Sequence, residues 1–546
     1  MAQRKLAIIA LDGAEPSLIE RWSAEGHLPA IKSMIDEGSF GPLCSVIPPV
    51  TGAAWGSFVT GVYPGRHGIF EWLRRGEDTY RLSLVNSTAL PYPTIFEWLS
   101  QNGIRVGTMS VPLSYPIRPV SGFVVSDLLT PPGEAYTHPS ELQNNIEDVL
   151  GTRYPLAPPP WLGRPRAAQW FESLKESLRL RTKATLHLAE SQDWDLFMIH
   201  VMETDSVQHQ MWQELDDHKR RRYKLSMNGA NPILEIYQMA DQFVGELRSK
   251  LSDETDIMII SDHGFGPHLK NLHLNTWLME QGFLKVRSNA ATKFKRLAFS
   301  LGLVPENLYP IEENLRLLGK ASSGGQAYDI MSKFVLSTQN IDWDKTVAYS
   351  YGNVGQIYLN RKGREPRGIV EDSESAQTLS QLEDALKGWV DPQTGQHVVD
   401  SVYRTADIYT EKALEHAPDL VFLPTDGYSP MGLSEFLSNR TITDPVAHSG
   451  WHRMNGIYVG HGPSLTPGNK ENLRLIDLFP AICQLMGIEP PDHIDGVIPE
   501  DILTKHTMRE SVSSTESSRY RAEAQPVLTA AEEEELRDRL KGLGYL

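Results

Sequence analysis

Leu6-Ala7-Ile8-Ile9-Ala10-Leu11, closed at once by Asp12-Gly13, is the stretch on which the fold turns. Six apolar residues without alternation describe a strand buried on both faces, the habit of a parallel sheet covered by helices on each side. The same pattern returns downstream. Leu196–Met202 (LFMIHVM) leads into Glu203-Thr204-Asp205, Ile257–Ile260 leads into Ser261-Asp262-His263-Gly264, and Gly456–Val459 is a shorter candidate strand. Between them, Ala167–Glu190 and Ile233–Leu251 carry apolar residues at three- and four-residue spacing, as amphipathic helices do. Strands alternating with helices predict an α/β fold with a mainly parallel central sheet flanked by helices.

Working outward, 546 residues suffice for one large core with insertions or for two or three domains. The spacing of elements predicts a core in three parts, 1–130, 167–284 and 341–505. The proline-rich stretch 131–166 and the irregular, partly basic stretch 285–340 read as insertions that form a cap or lid. Residues 506–546 read as a polar linker followed by a helix, opened by the capping-box pattern Thr529-Ala530-Ala531-Glu532. A formal charge of −17 argues against a general nucleic-acid binder, which needs a basic surface to meet phosphates. Cys44 and Cys483 are the only cysteines, so neither a disulfide framework nor a thiolate metal site is implied. The first apolar run ends too early for a signal peptide, and no segment reaches the roughly 18 apolar residues of a membrane span. A cytoplasmic protein is expected.

The chemistry gathers where the strands end. In open α/β sheets, side chains just beyond the carboxyl ends of strands converge on one crevice. Asp12 follows the first strand. Asp205 and His209 follow another, four residues apart and so on one face of a helix that starts there. The adjacent pair Asp262-His263 follows a third, inside a glycine-rich loop. His448 and His452 both precede the Gly456 strand, and spacing alone does not choose between them. Carboxylate and imidazole donors without thiolate suit catalytic zinc or manganese. Each piece has a plainer reading, the strand-end aspartate as a helix cap above all; it is the set, in this order, that points to a site. Pro48-Pro49-Val50-Thr51-Gly52-Ala53-Ala54-Trp55 adds a hydroxyl in the first turn of a candidate helix, where free N–H groups and the positive dipole end favour a phosphoryl group. Thr51 is therefore either a nucleophile or only a helix cap.

Pro49-Val50-Thr51 through Trp55, with Thr60-Gly61, Pro64 and His67-Gly68-Ile69, resembles the nucleophile region of the type I phosphodiesterase/nucleotide pyrophosphatase branch of the alkaline phosphatase superfamily. Asp12-Gly13, Asp205 with His209, Asp262-His263-Gly264, and Ser449-Gly450-Trp451-His452-Arg453 resemble that branch's metal motifs in order, and the likeness covers most of the chain. The resemblance implies an alkaline-phosphatase-like core and a phosphoric-ester hydrolase acting on a small-molecule phosphate ester. It implies two divalent cations, zinc or else manganese, one held by Asp12, Thr51, Asp262 and His263 and the other by Asp205, His209 and His452. Thr51 would form a phospho-threonine. His452, rather than His448, matches through Arg453 and the strand at Gly456, and His67 reads as structural.

Two departures bear on substrate. Members that hydrolyse nucleotides carry an Asn shortly after the equivalent of His67-Gly68-Ile69, where this chain has Phe70-Glu71-Trp72, and an aromatic residue where it has Gly52. Both turn the expectation away from nucleotides, and a Glu71 charge facing the site would favour a singly charged diester. A phosphomutase of the same superfamily is the nearest rival and a non-catalytic binding protein on this fold the more distant one; a sulfatase lacks its motif here.

Overall fold

The computed structural model describes residues 4–76, 79–216, 231–307, 335–409, 416–431, 436–446, 448–509 and 528–543. The apolar run at the N-terminus is the strand Lys5–Leu11, and it lies at the centre of the largest sheet. Across that sheet the order is Gly468–Asn469, Ser39–Cys44, Asn455–His461, Thr255–Ile260, Lys5–Leu11, Leu196–Val201, Val106–Met109, Gly122–Val125 and Thr137–His138. The five strands from Thr255–Ile260 to Gly122–Val125 are mutually parallel. Asn455–His461 runs antiparallel between Ser39–Cys44 and Thr255–Ile260.

Two apolar layers explain why the central strand does not alternate. Leu6, Ile8 and Ala10 enter one hydrophobic cluster, together with the helix Thr51–Thr60 and the helix Leu478–Leu485. Ala7, Ile9 and Leu11 enter the other, with the helices Pro16–Ala24, Ala167–Ser191 and Pro232–Lys250. A strand covered on both faces has no polar side to show in its sequence. Helix starts follow their local chemistry: Pro16, Pro29 and Pro232 each occupy the first turn, where the missing N–H costs nothing. The Asp241 carboxylate from Pro232–Lys250 accepts the N–H groups of Ala30 and Ile31, capping the neighbouring helix Pro29–Glu37 at 3.2 and 2.7 Å.

The two stretches expected as insertions contribute elements to the sheet and the cores. Residues 131–166 supply the edge strand Thr137–His138 of the main sheet and the helix Leu142–Leu150. Their Tyr136, Leu142, Ile146 and Tyr154 belong to the second core cluster. Of 285–340, residues 308–334 lie outside the described residues; Phe299, Val304, Leu336 and Ile341 join a third cluster. That cluster is built on a separate four-stranded sheet, Ala348–Tyr349, Gln356–Leu359, Leu420–Pro424 and Val399–Arg404, within the span expected as core. The linker 510–527 is likewise outside the described residues, and Thr529 and Glu532 exchange their capping-box bonds before the helix Ala530–Leu543. Among the described residues no helix is long and apolar enough to cross a membrane.

His67 is a structural residue. Its Nδ1 accepts the Ile69 N–H at 3.1 Å, so Nε2 carries the proton and donates to Ser57 Oγ at 2.9 Å. The ring lies against Gly56, where a Cβ would come within 2.9 Å of it. Burial pushes the imidazole down to about 3 from 6.5. Between those values the unfolded chain takes up a proton that the folded chain refuses, so this part of the stability is present above pH 6.5 and lost as pH falls. His67→Gln should therefore lower stability overall yet flatten its pH dependence between pH 6 and 4 by about 1.4 kcal/mol per pH unit, read from urea unfolding at several pH values.

Candidate metal centre

Three adjacent parallel strands end side by side: Leu11 pairs with Val201, and Ala10 with Ile260. The residues that follow them are thereby forced together. Asp12, Asp205 and Asp262 are all fully buried, as are His209, His263 and Thr51, and His452 is 7% exposed. Gly13 makes the approach possible. It adopts φ +63°, and a Cβ there would sit 2.9 Å from the Phe265 ring and 3.3 Å from Asp205 Oδ1.

Asp205 and His209 lie one turn apart on the helix Glu203–Met211. His452 arrives from the strand Gly450–Arg453, which pairs antiparallel with Gly264–His273 and sets His452 opposite Phe265. His452 Nε2 lies 3.2 Å from Asp205 Oδ1 and 3.0 Å from His209 Nε2, and His209 Nε2 lies 3.4 Å from Asp205 Oδ1. His263 Nε2 faces Asp12 Oδ1 at 3.5 Å, Asp262 Oδ2 at 3.4 Å and Thr51 Oγ1 at 3.2 Å. Two donor groups result, Asp12–Asp262–His263 and Asp205–His263–His452, with His263 shared between them. His448, the alternative to His452, turns to Gln210, whose amide nitrogen lies 3.3 Å from its Nδ1.

The donors are arranged as cation ligands are. His209 Nδ1 donates to the Gly450 carbonyl at 3.2 Å and His263 Nδ1 to the Gly264 carbonyl at 3.1 Å. A carbonyl only accepts, so Nδ1 holds the proton and each Nε2 lone pair faces the carboxylates. Asp12 Oδ1 and Asp262 Oδ2 are buried and accept no hydrogen bond. Burial first, then the neighbouring Asp262 and Asp205 carboxylates, pushes Asp12 well above its ordinary range; burial also raises Asp262, against the pull of His263. Burial holds His209 and His452 well below theirs, leaving them neutral. Like charges crowded without water are costly, and divalent cations are the partners that this oxygen-and-imidazole set fits.

Thr51 opens the helix Thr51–Thr60, but Val50 holds its N-cap position in extended conformation. The hydroxyl is thus not consumed in capping and points to His263. Glu71, expected as a charge facing substrate, is buried inside the fold. Its carboxylate accepts the N–H groups of Trp72 at 2.9 Å and Asn353 at 3.3 Å, and burial pushes it up to about 7. A Cβ on Gly52 would touch the buried Trp72 ring at 3.6 Å, so the space beside the nucleophile candidate is already occupied by an aromatic side chain.

Sequence reasoning missed the support behind Asp12. His200 Nε2 lies 2.7 Å from Asp12 Oδ2, and Arg181, 1% exposed, donates to the His200 carbonyl at 2.5 Å and faces Glu203 at 3.6 Å. The available signal was a lone imidazole inside the otherwise apolar LFMIHVM, since a buried polar group needs a partner.

The chain matches the type I phosphodiesterase/nucleotide pyrophosphatase family over residues 6–451. No curated protein sequence matches it. A crystal structure of phosphonoacetate hydrolase from Sinorhizobium meliloti 1021, in complex with phosphonoformate, is similar in fold, with 16% identity and a TM-score of 0.53 over 87% of this chain and 94% of that one. Human ectonucleotide pyrophosphatase/phosphodiesterase 5 shares 12% identity, with a TM-score of 0.49 over 92% of this chain and 100% of that one. The family match spans both ends of the metal centre, from the first strand almost to His452, and on it the chain belongs to the type I phosphodiesterase/nucleotide pyrophosphatase family, phosphoric-ester hydrolases of the alkaline phosphatase superfamily.

Proposed function

We propose that the protein hydrolyses a phosphodiester of a small, non-nucleotide substrate through a phospho-threonine at Thr51. The observation that carries this reading is the Thr51 hydroxyl, 3.2 Å from His263 Nε2 beside carboxylate oxygens that lack hydrogen bonds. Asp12, Thr51, Asp262 and His263 would hold one divalent cation, and Asp205, His209 and His452 the other. When bound, zinc or manganese at these positions supplies Lewis acidity, charge neutralisation and a lowered hydroxyl pKa at Thr51. Thr51 Oγ1, its proton lost to solvent, forms the bond to phosphorus as the ester oxygen departs in line and takes up a proton as the alcohol; water then cleaves the phospho-threonine, releasing the phosphate monoester and restoring the Thr51 hydroxyl. The first-turn N–H groups of the Thr51–Thr60 helix are suited to the phosphoryl oxygens. We assign a capping role to the module around Gln356–Leu359, because Gln356 donates to the Phe70 carbonyl at 2.7 Å and Asn353 to Glu71, next to Gly52. A cytoplasmic setting agrees with two free thiols, Cys44 and Cys483.

The diester preference now rests on the family and not on Glu71, whose carboxylate is used within the fold. The non-nucleotide part rests on Trp72, which is fully buried and offers no face for a base to stack on.

Elemental analysis after purification and remetallation should find two divalent equivalents per chain, and a chelator should abolish turnover reversibly; full activity with one equivalent would reject the two-metal reading. Thr51→Ala should cost kcat about 10³-fold or more with the unfolding midpoint little changed, while Thr51→Ser keeps part of the rate. Near-normal turnover in Thr51→Ala would remove the nucleophile. Under identical metal loading, kcat/KM for bis(p-nitrophenyl) phosphate should exceed that for p-nitrophenyl phosphate and for a dinucleotide by about tenfold, or about 1.4 kcal/mol; the reverse order overturns the substrate assignment.

A further inference from the structure

His200 stands between two acceptors. Its Nε2 lies 2.7 Å from Asp12 Oδ2 and its Nδ1 lies 3.2 Å from the Ser110 carbonyl. The ring is fully buried, on the strand Leu196–Val201 that neighbours Lys5–Leu11, and Trp55 meets it edge-on at 5.0 Å between centroids. The shorter contact, to a carboxylate, is the stronger one. It occupies Oδ2 and leaves Oδ1 turned to His263, 3.5 Å away. An aspartate with both oxygens open could rotate about its Cβ–Cγ bond or bind a cation through either oxygen; this one has a single oxygen left to offer.

The ring's own position is fixed from behind. Arg181, from the middle of the 25-residue helix Ala167–Ser191, donates to the His200 carbonyl and lies beside Glu203, which in turn accepts from Ser177 Oγ at 2.9 Å. On the other side, Ser110 adopts φ 58° and its hydroxyl lies 2.9 Å from the Tyr154 hydroxyl. None of these groups reaches the donor cluster itself. Their connections run to His200 and to the start of the helix that carries Asp205 and His209.

We propose that His200 is a positioning residue for the metal centre: through Nε2 it fixes the Asp12 carboxylate so that Oδ1 is presented to the cation shared with Asp262 and His263. This rests on the metal reading given above. Outer hydrogen-bond partners of ligating groups are worth about 10–100-fold in metal affinity.

Two amides separate the two contacts of the ring. A glutamine at position 200 carries its amide nitrogen near the place of Nε2 and can still donate to Asp12, whereas an asparagine carries its nitrogen near Nδ1 and reaches only Ser110. Apoprotein is titrated with zinc against a chromophoric chelator, with circular dichroism and thermal unfolding followed alongside. His200→Asn should weaken one of two zinc equivalents by about 10–100-fold, and His200→Gln should restore most of it. A residue that merely holds the Ser110 loop predicts the opposite order, with Asn the better substitute. As a second measurement, His200→Asn and His200→Phe are each combined with Asp12→Asn: a partner acting through Asp12 adds nothing further once that carboxylate is gone, whereas full additivity removes the inference. Wild-type protein that binds no zinc would remove the metal reading itself. Normal wild-type uptake with equal affinities in the Asn and Gln variants removes only the role of His200.

Discussion

Three carboxylates are held together in a place that water does not reach, and most of the architecture follows from that constraint. Asp12, Asp205 and Asp262 are delivered by three neighbouring strands whose register leaves them no room to spread. Burial first, and their mutual repulsion after it, raises Asp12 and Asp262, and protein groups relieve only part of this. Imidazoles whose Nδ1 protons go to backbone carbonyls turn lone pairs, not protons, toward the cluster. Such an arrangement is unstable as an empty ionised site and stable as a cation site, which is why the geometry speaks to chemistry more directly than the fold does.

The surrounding elements read as the means of keeping the charges in place. A parallel sheet covered on both faces cannot slide by one residue without moving a hydrophobic set out of its layer, so the strand ends, and the aspartates after them, are fixed by packing. The strand Gly450–Arg453 closes the fourth side by pairing with Gly264–His273, which follows Asp262-His263 almost directly. Strand pairing thus places Asp12, Asp262, His263 and His452, while the helix Glu203–Met211 carries Asp205 and His209.

How much of this could be read from the residues depended on whether the signal was local. The buried strands declared themselves as unbroken apolar runs, and Asp205 with His209 as a four-residue spacing. Thr51 was ambiguous in sequence because a first-turn threonine is also the usual cap; Val50 at the cap position and the His263 contact are facts of three dimensions. The prolines of 131–166 mask the apolar residues between them, which form an edge strand and a helix packed on the core. Glu71 failed for the opposite reason. Its charge was expected to face the site, and only the tertiary arrangement supplies the backbone N–H of Asn353, 282 residues away, as its partner. His200 and Arg181 belong to the same class, since nothing in sequence spacing relates position 200 to position 12.

The antiparallel strand Asn455–His461 also has a bearing on how the molecule comes into being. It fills the gap between Ser39–Cys44 and Thr255–Ile260, both of which leave the ribosome long before it does. Until it inserts, Thr255–Ile260 has an open edge, and Ser39–Cys44 is without its sheet partners, since Gly468–Asn469 and Leu473–Arg474 come later still. His452 arrives only with the same segment, so no amount of metal can complete the second donor group early. The seam of the main sheet is therefore closed by a segment that lies about five-sixths of the way along the 546 residues, a pairing of high sequence separation.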